Sequence, residues 1–366
     1  MVPLATAAST IIKSTNSTSS PNVVIFSTIN QIATSLRKKA PNISIHEIRD
    51  DALLPLSGDF KIFEPRNIQA STFQQLKDAQ ILITEPVLLA KILEYNSDAL
   101  PNLKWCQSTF AGVDTIFDTP GLIYPLHFTL TRFAGTFGRP IAEWCMGRII
   151  AHERMFGLVA KDQKSRSWQG SGDALKNYRY LSDLTIVILG GCGDIGSCIA
   201  RAAKFGFGMR TVAYSKNERL ELPEGVDECT NDLSYALREA DYLISVLPST
   251  SETKGLLSDK AFALAGIERG GKSPVFLNCG RGDVTDEDTL LLALERGFIS
   301  AAILDVFEKE PLPQTSRLWG RDDVMISPHI SGVTRGQDVI EHFLRNYERY
   351  VAGDDLLFEV DWGKGY

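Results

Sequence analysis

Leu189-Gly190-Gly191-Cys192-Gly193-Asp194-Ile195-Gly196 carries glycines at 191, 193 and 196, a G-x-G-x-x-G spacing. The run before it, Thr185-Ile186-Val187-Ile188-Leu189, is apolar and β-branched, as a strand buried on both faces requires. Residues 197–204 then read as a helix. In a strand–turn–helix the first glycine permits a tight turn and the second lets backbone approach a pyrophosphate. The third lets helix pack on strand. The helix N-terminus adds unpaired N–H groups and the positive end of a dipole. This stretch therefore points to a dinucleotide-binding unit, with a merely structural glycine turn as the alternative.

Working outward, further strand-like runs lie at 211–214, 242–247, 275–278, 301–305 and 324–327. With the first they make six, which is what a doubly wound dinucleotide-binding sheet needs. Upstream, runs at 23–26, 81–83 and 105–108 alternate with helix-length segments at 68–79 and 87–94. Alternating strand and helix implies a parallel sheet covered by helices. Between the two sets, Gly138-Arg139-Pro140 opens a helix, where a proline N–H is not missed. Ile141, Trp144, Cys145 and Ile149 form its apolar stripe. Residues 161–179 are polar and are expected to be solvated. The last helix, at 337–351, carries Val339, Ile340, Phe343, Leu344 and Tyr347 at helical spacing and is expected to return onto the first set.

Composition excludes several classes. At roughly 150 residues per domain, 366 residues suggest two domains. A hydrophobic content of 44% with 23% charged residues is ordinary for a globular protein with a large core. A net charge of -7 without a basic block argues against nucleic acid or an anionic membrane as partner. No apolar run reaches the length of about 18 residues that a membrane span needs. Cys106, Cys145, Cys192, Cys198, Cys229 and Cys279 form no C-x-x-C pair and read as reduced thiols of a cytoplasmic protein. The histidines lack H-E-x-x-H spacing, so no metal is expected. Residues 1–21 read as a disordered extension. Lys13 is the only base in the first twenty, which is poor for an organelle leader, though targeting stays open.

Cofactor choice is set at the end of the second strand of the nucleotide unit. That strand ends Ala213-Tyr214-Ser215-Lys216-Asn217. NAD enzymes usually place an acid there for the ribose 2′-OH. Here Ser215 takes that position and Lys216 follows. The absence of a carboxylate removes a repulsion of roughly 4 kcal/mol against a 2′-phosphate at about 4 Å and a dielectric near 20. NADP(H) is favoured, with NAD(H) as the open alternative. The stretch 204–209 looks one residue longer than usual, which leaves the placement of Ser215 to be checked.

Four further motifs stand in order. They are Leu247-Pro248-Ser249-Thr250-Ser251-Glu252-Thr253, Asn278-Cys279-Gly280-Arg281-Gly282, Leu304-Asp305-Val306-Phe307-Glu308-Lys309-Glu310-Pro311 and Ser327-Pro328-His329-Ile330-Ser331-Gly332. Together the chain from about residue 22 onward resembles the D-isomer-specific 2-hydroxyacid dehydrogenases, which include glyoxylate/hydroxypyruvate reductases and phosphoglycerate dehydrogenase. The resemblance implies an α/β fold in which a Rossmann-type doubly wound parallel sheet, residues 136–332, is inserted into a flavodoxin-like α/β substrate-binding domain, residues 22–135 plus 333–366. It implies a homodimer, with residues 138–156 at the contact.

The resemblance makes Arg281, Glu310 and His329 catalytic and brings Asp305 to the nicotinamide carboxamide. It assigns Gly191, Gly193, Asp194, Ile195, Gly196, Ser215, Lys216, Leu247, Pro248, Thr253, Cys279, Gly280, Arg281, His329 and Gly332 to the cofactor. In Ser108-Thr109-Phe110-Ala111-Gly112-Val113-Asp114, Ala111 and Gly112 match a loop that presents N–H groups to the substrate carboxylate, beside Arg281 and His329. Phe110 would bound the substrate's size. Glu143 matches a junction position with a structural role.

The chemistry suits these residue types. Hydride addition to a ketone builds negative charge on oxygen, which a protonated His329 can neutralise as general acid. Glu310 favours the imidazolium. Arg281 grips a carboxylate with a planar fork that lysine lacks. The expected activity is reduction of a small 2-keto acid (glyoxylate, hydroxypyruvate or pyruvate-like) to a D-2-hydroxy acid. The rival is a dinucleotide-sensing corepressor of the same fold, which keeps the same three residues.

Overall fold

The computed structural model describes residues 21–50, 68–168, 172, 176–217, 221–265 and 273–365. The expected N-terminal extension, up to residue 20, and the targeting question attached to it lie outside the described residues. The first set of elements runs β1 (Val23–Ile25), α1 (Ile32–Lys39), β2 (Ile45–Glu47), α2 (Ala70–Lys77), β3 (Ile81–Thr84), α3 (Pro86–Tyr95), β4 (Trp105–Ser108), α4 (Asp114–Phe117) and β5 (Thr129–Thr131). Then come α5 (Gly138–Glu153) and α6 (Phe156–Ser165). The second set runs β6 (Thr185–Leu189), α7 (Asp194–Phe207), β7 (Arg210–Tyr214), β8 (Glu228–Thr230), α8 (Leu233–Glu239), β9 (Tyr242–Ser245), α9 (Asp259–Ala265), β10 (Val275–Asn278), α10 (Glu287–Glu295), β11 (Ala301–Leu304) and β12 (Val324–Ile326). α11 (Gly336–Ala352) closes the chain.

Two parallel sheets result. The first has the order β2-β1-β3-β4-β5, the flavodoxin-like arrangement. The second has the order β12-β11-β10-β9-β6-β7-β8, which is doubly wound with its reversal at β6. The fold is therefore α/β and Rossmann-type, as the alternation required. Every residue of β3, β4, β6, β9, β10 and β11 is buried, which is why all but the half-polar β4 read as largely apolar runs.

Three strands escape the sequence pattern. β2, β5 and β8 are three residues long, lie at or next to sheet edges and contain polar residues, as in Glu228-Cys229-Thr230. The second sheet thus has seven strands instead of the expected six. The helix after the glycine turn extends past residue 204 to Phe207 and ends on Gly208 at φ 70°, where the Met209 N–H returns to Ala203 O at 3.2 Å. This longer helix absorbs the extra residue and leaves Ser215 immediately after β7.

α5 links the two sheets. Ile141, Ala142, Cys145, Met146 and Ile149 lie in one apolar cluster that also holds Val23 and Ile25 of β1 and Ile186 and Ile188 of β6. Gly138 permits close helix packing, since a Cβ there would fall 2.5 Å from Cys198 Sγ on α7. α11 packs beside α1, and its Phe343 stacks on Trp105 of β4 at 5.1 Å between ring centres. Such aromatic pairs contribute ~0.5–1.5 kcal/mol beyond their buried area. The expectation of a solvated surface over 161–179 fails at its end. Arg179 pairs with the buried Glu153 of α5, which also accepts from Tyr242 Oη at 2.7 Å, and with Asp241 at 3.5 Å. A charge on Glu153 inside the core requires these donors.

Candidate active site

The functional loops leave the carboxyl ends of the strands, where ligands of open α/β sheets bind. The glycine turn joins β6 to α7. A Cβ on Gly191 would stand 2.7 Å from Ala213 Cβ, and one on Gly196 would stand 2.4 Å from Gly190 O. Both positions need glycine for close packing of turn, strand and helix. A Cβ on Gly193 would meet only Gly190 O, at 3.3 Å, so its outer side is open. The first intrahelical bond of α7 runs from the Ser197 N–H to Gly193 O at 2.9 Å. The amides of Asp194, Ile195 and Gly196 precede it and point from the helix start, a cradle that fits a pyrophosphate.

Ser215 and Lys216 follow at the tip of β7. The Ser215 N–H donates to Thr230 O of β8 at 3.0 Å. Lys216 forms an exposed ion pair with Glu252 at 2.5 Å. Exposed pairs are worth ~0–1 kcal/mol, so this one leaves the ammonium available to a stronger anion. Beyond β9, Leu247 backbone abuts Gly280, where a Cβ would fall 2.7 Å from Leu247 O. Thr253 Oγ1 donates to Pro248 O at 2.6 Å and accepts the Thr250 N–H at 2.9 Å, which closes the 248–253 turn.

Arg281 follows β10, with buried Cys279 and Gly280 just before it. Its Nε and Nη2 donate to Asp114 Oδ1 at 3.2 and 3.1 Å, and its Nη1 donates to Gly280 O at 3.0 Å. Asp114 starts α4, directly after the Phe110–Ala111–Gly112 loop. The guanidinium lies on Gly112, where a Cβ would stand 1.6 Å from Nη2. The structure brings Arg281 and Gly112 together. It adds Asp114, which the sequence reading quoted but did not assign. Lys254 makes a second bridge between the sheets, to Asp118 at 3.7 Å.

His329 and Glu310 meet on the loops after β12 and β11. His329 Nδ1 lies 2.8 Å from Glu310 Oε2, and Oε1 accepts the Phe307 N–H at 2.9 Å. A carboxylate at Nδ1 keeps the proton there and turns Nε2 outward. Burial by itself would push the Glu310 carboxyl up; hydrogen bonding and charge from His329, the Phe307 N–H and Arg281 outweigh it and hold the carboxyl below its ordinary value.

The histidine backbone sits at φ 52°, a conformation costing about 1–2 kcal/mol for a residue with a Cβ. Asp305 holds it there. Its main-chain O accepts the His329 N–H at 2.8 Å. Its carboxylate accepts from Ser327 Oγ at 2.5 Å, the Ile330 N–H at 3.0 Å and the Ser331 N–H at 2.8 Å. Asp305 is fully buried and so shapes the loop that presents the imidazole. Gly332 ends this loop against Phe137 and Ile141, with a Cβ position 3.0 Å from Phe137 Cδ1. Thr334 Oγ1 then donates to Thr109 O at 3.2 Å, tying the histidine loop to the Ala111–Gly112 loop. Glu143 stands on the exposed face of α5.

This constellation is that of a nicotinamide-dependent oxidoreductase acting on a small carboxylate-bearing substrate. Residues 146–331 match the family model for the NAD binding domain of D-isomer specific 2-hydroxyacid dehydrogenases. A glyoxylate/hydroxypyruvate reductase B of Escherichia fergusonii is 31% identical over 300 residues, covering 80% of this chain and 89% of that protein. A crystal structure of a D-isomer specific 2-hydroxyacid dehydrogenase family protein from Aeromonas salmonicida superposes with a TM-score of 0.76 at 31% identity, over 94% of this chain and 99% of the other. An NADPH-dependent glyoxylate/hydroxypyruvate reductase from Sinorhizobium meliloti, in complex with NADP and sulfate, gives a TM-score of 0.74 at 25% identity over 94% and 100%. The chain belongs to the D-isomer-specific 2-hydroxyacid dehydrogenase family and is an NAD(P)-dependent oxidoreductase. Among the described residues no helix is long and apolar enough to cross a membrane.

Proposed function

We propose that the protein reduces glyoxylate, hydroxypyruvate or similar small 2-keto acids to 2-hydroxy acids, of D configuration where the new carbinol carbon is chiral, with NADPH preferred over NADH. The observation that carries this reading is the His329–Glu310 pair at 2.8 Å, set on loops tied to Arg281 and Gly112. The bound dinucleotide supplies the hydride. Arg281 and the N–H groups of Ala111 and Gly112 hold the substrate carboxylate, and Phe110 bounds the space for its side chain. His329 donates its Nε2 proton to the carbonyl oxygen, and Glu310 stabilises the imidazolium before transfer. The glycine turn and the amides of Asp194, Ile195 and Gly196 bind pyrophosphate. Leu247, Pro248, Thr253, Cys279, Gly280 and Gly332 would line the rest of the cofactor path, and Asp305 would take the nicotinamide carboxamide.

Ser215 and Lys216 support the NADP(H) preference, because serine and lysine, not an acid, immediately follow β7 where a carboxylate would repel a 2′-phosphate. The substrate-binding domain is assigned to residues 22–135 plus 333–366, which accords with α11 packing beside α1, and the nucleotide domain to 136–332. A homodimer is supported by the exposed Phe156 and Val159 on α6 with Tyr178 beside them, an apolar face that a second copy would cover. Stereochemistry tests the proposal. With NADP+, D-glycerate should be oxidised and L-glycerate should not; oxidation of the L-isomer alone would overturn the assignment of His329 and Arg281.

A further inference from the structure

Cys192 and Cys229 are 37 residues apart in sequence, yet their sulfurs are 3.2 Å apart. Cys192 is the middle residue of the Gly191-Cys192-Gly193 turn, and Cys229 is the central residue of β8. Their approach follows from the sheet. Cys229 pairs with Ala213 of β7, and a Cβ on Gly191 would already touch Ala213 at 2.7 Å. The glycine turn therefore lies over the tips of β7 and β8, beside Ser215. Both thiols are part-exposed, so small reagents can reach them. The other close pair, Cys145 and Cys279 at 3.6 Å, is buried, and burial pushes the Cys145 thiol well above its ordinary value. The two pairs thus differ in access to oxidants.

We propose that Cys192 and Cys229 form a reversible disulfide, a modification site inside the cofactor-binding turn that lowers affinity for NADP(H) when oxidised. It rests on the dinucleotide reading of the glycine turn. The oxidant is a low-molecular-weight disulfide of the glutathione class. Cys192 thiolate attacks one of its sulfurs, breaks that S–S bond and releases one thiolate. Cys229 thiolate then attacks the Cys192 sulfur of the mixed disulfide and releases the second. The two protons lost by the protein thiols end on the two released small thiols, so the protein loses two electrons and the reagent gains two. Bonding requires an S–S length of about 2.05 Å, so the sulfurs must close by roughly 1.1 Å. That draws the turn toward β8 and misaligns the amides that hold the pyrophosphate, which depend on backbone placement.

The test uses the full-length protein, reduced or treated with oxidised glutathione. Peptide mass spectrometry should find the Cys192 and Cys229 peptides joined, two hydrogens lighter, and separated again by dithiothreitol. NADPH fluorescence titration should show Kd rising about tenfold, equivalent to about 1.4 kcal/mol, on oxidation and recovering on reduction. Cys229→Ser should bind NADPH like the reduced wild type and ignore the oxidant. Absence of the linked peptide overturns the site, and a linked protein with unchanged Kd overturns the affinity effect. If the reduced protein has no affinity for NADPH, the dinucleotide reading and the affinity effect fail together, while the peptide masses still decide the disulfide.

Discussion

Glu310→Gln isolates the charge behind the general acid. Gln keeps the size of the side chain and can still accept the Phe307 N–H, so the loop should hold its shape. What is lost is a charge-assisted bond to His329 Nδ1 at 2.8 Å. Hydrogen bonds to charged groups contribute ~1.5–3 kcal/mol and neutral ones ~0.5–1.5. The difference is about 1–1.5 kcal/mol, and half exposure of the imidazole places it at the lower end. A loss of about 1 kcal/mol in the hold on the proton donor is a factor of roughly five. Because His329 and neighbouring donors hold the wild-type Glu310 carboxyl below its ordinary value, it remains ionised throughout the neutral range. The assay is kcat/KM for keto-acid reduction at neutral pH. The variant should fall behind wild type by about five- to tenfold. No loss would refute the role given to the Glu310 charge. The same depressed carboxyl contributes stability above the unfolded-state value near 4.5, lost as pH falls through its lower folded value, so acid unfolding of the variant should depend less steeply on pH.

His329→Ala should lower kcat by about two to four orders of magnitude while NADPH affinity, read by fluorescence titration, changes little. Arg281→Lys loses the fork that meets Asp114 and the substrate carboxylate, so KM should rise and kcat fall by about tenfold or more; values within about twofold would remove Arg281 as the anchor. Gly112→Ala puts a Cβ 1.6 Å from Arg281 Nη2, so KM should rise with little change in melting temperature; an unchanged KM would mean that the guanidinium position is unimportant. Ser215→Asp should move the ratio of kcat/KM values toward NADH by about tenfold or more; an unchanged ratio would take Ser215 away from the ribose.

The strands buried on both faces were legible where burial leaves a mostly apolar run: β6 and β10 begin and end where their runs do. β2, β5 and β8 were not, because a three-residue strand with polar members has no periodicity to read. The site divides the same way. Glu310 and His329 are 19 residues apart and stand in motifs recognisable at sight. Asp114 and Arg281 are 167 residues apart, and only the fold places the first sheet's α4 against the loop after β10. Arg179 looked like a surface charge because its partner Glu153 sits in a helix whose apolar stripe gives no sign of a buried acid. Asp305 was expected at the nicotinamide, whereas its part in fixing the left-handed His329 depends on backbone geometry that composition does not carry.

NADPH oxidation by the purified wild-type protein with glyoxylate, hydroxypyruvate and pyruvate, compared with NADH under the same conditions, tests the central claim most directly. Turnover with at least one of these keto acids, faster with NADPH than with NADH, is the predicted result. Tight NADPH binding with no oxidation by any of them would contradict the account and favour a protein that senses the dinucleotide without turning it over.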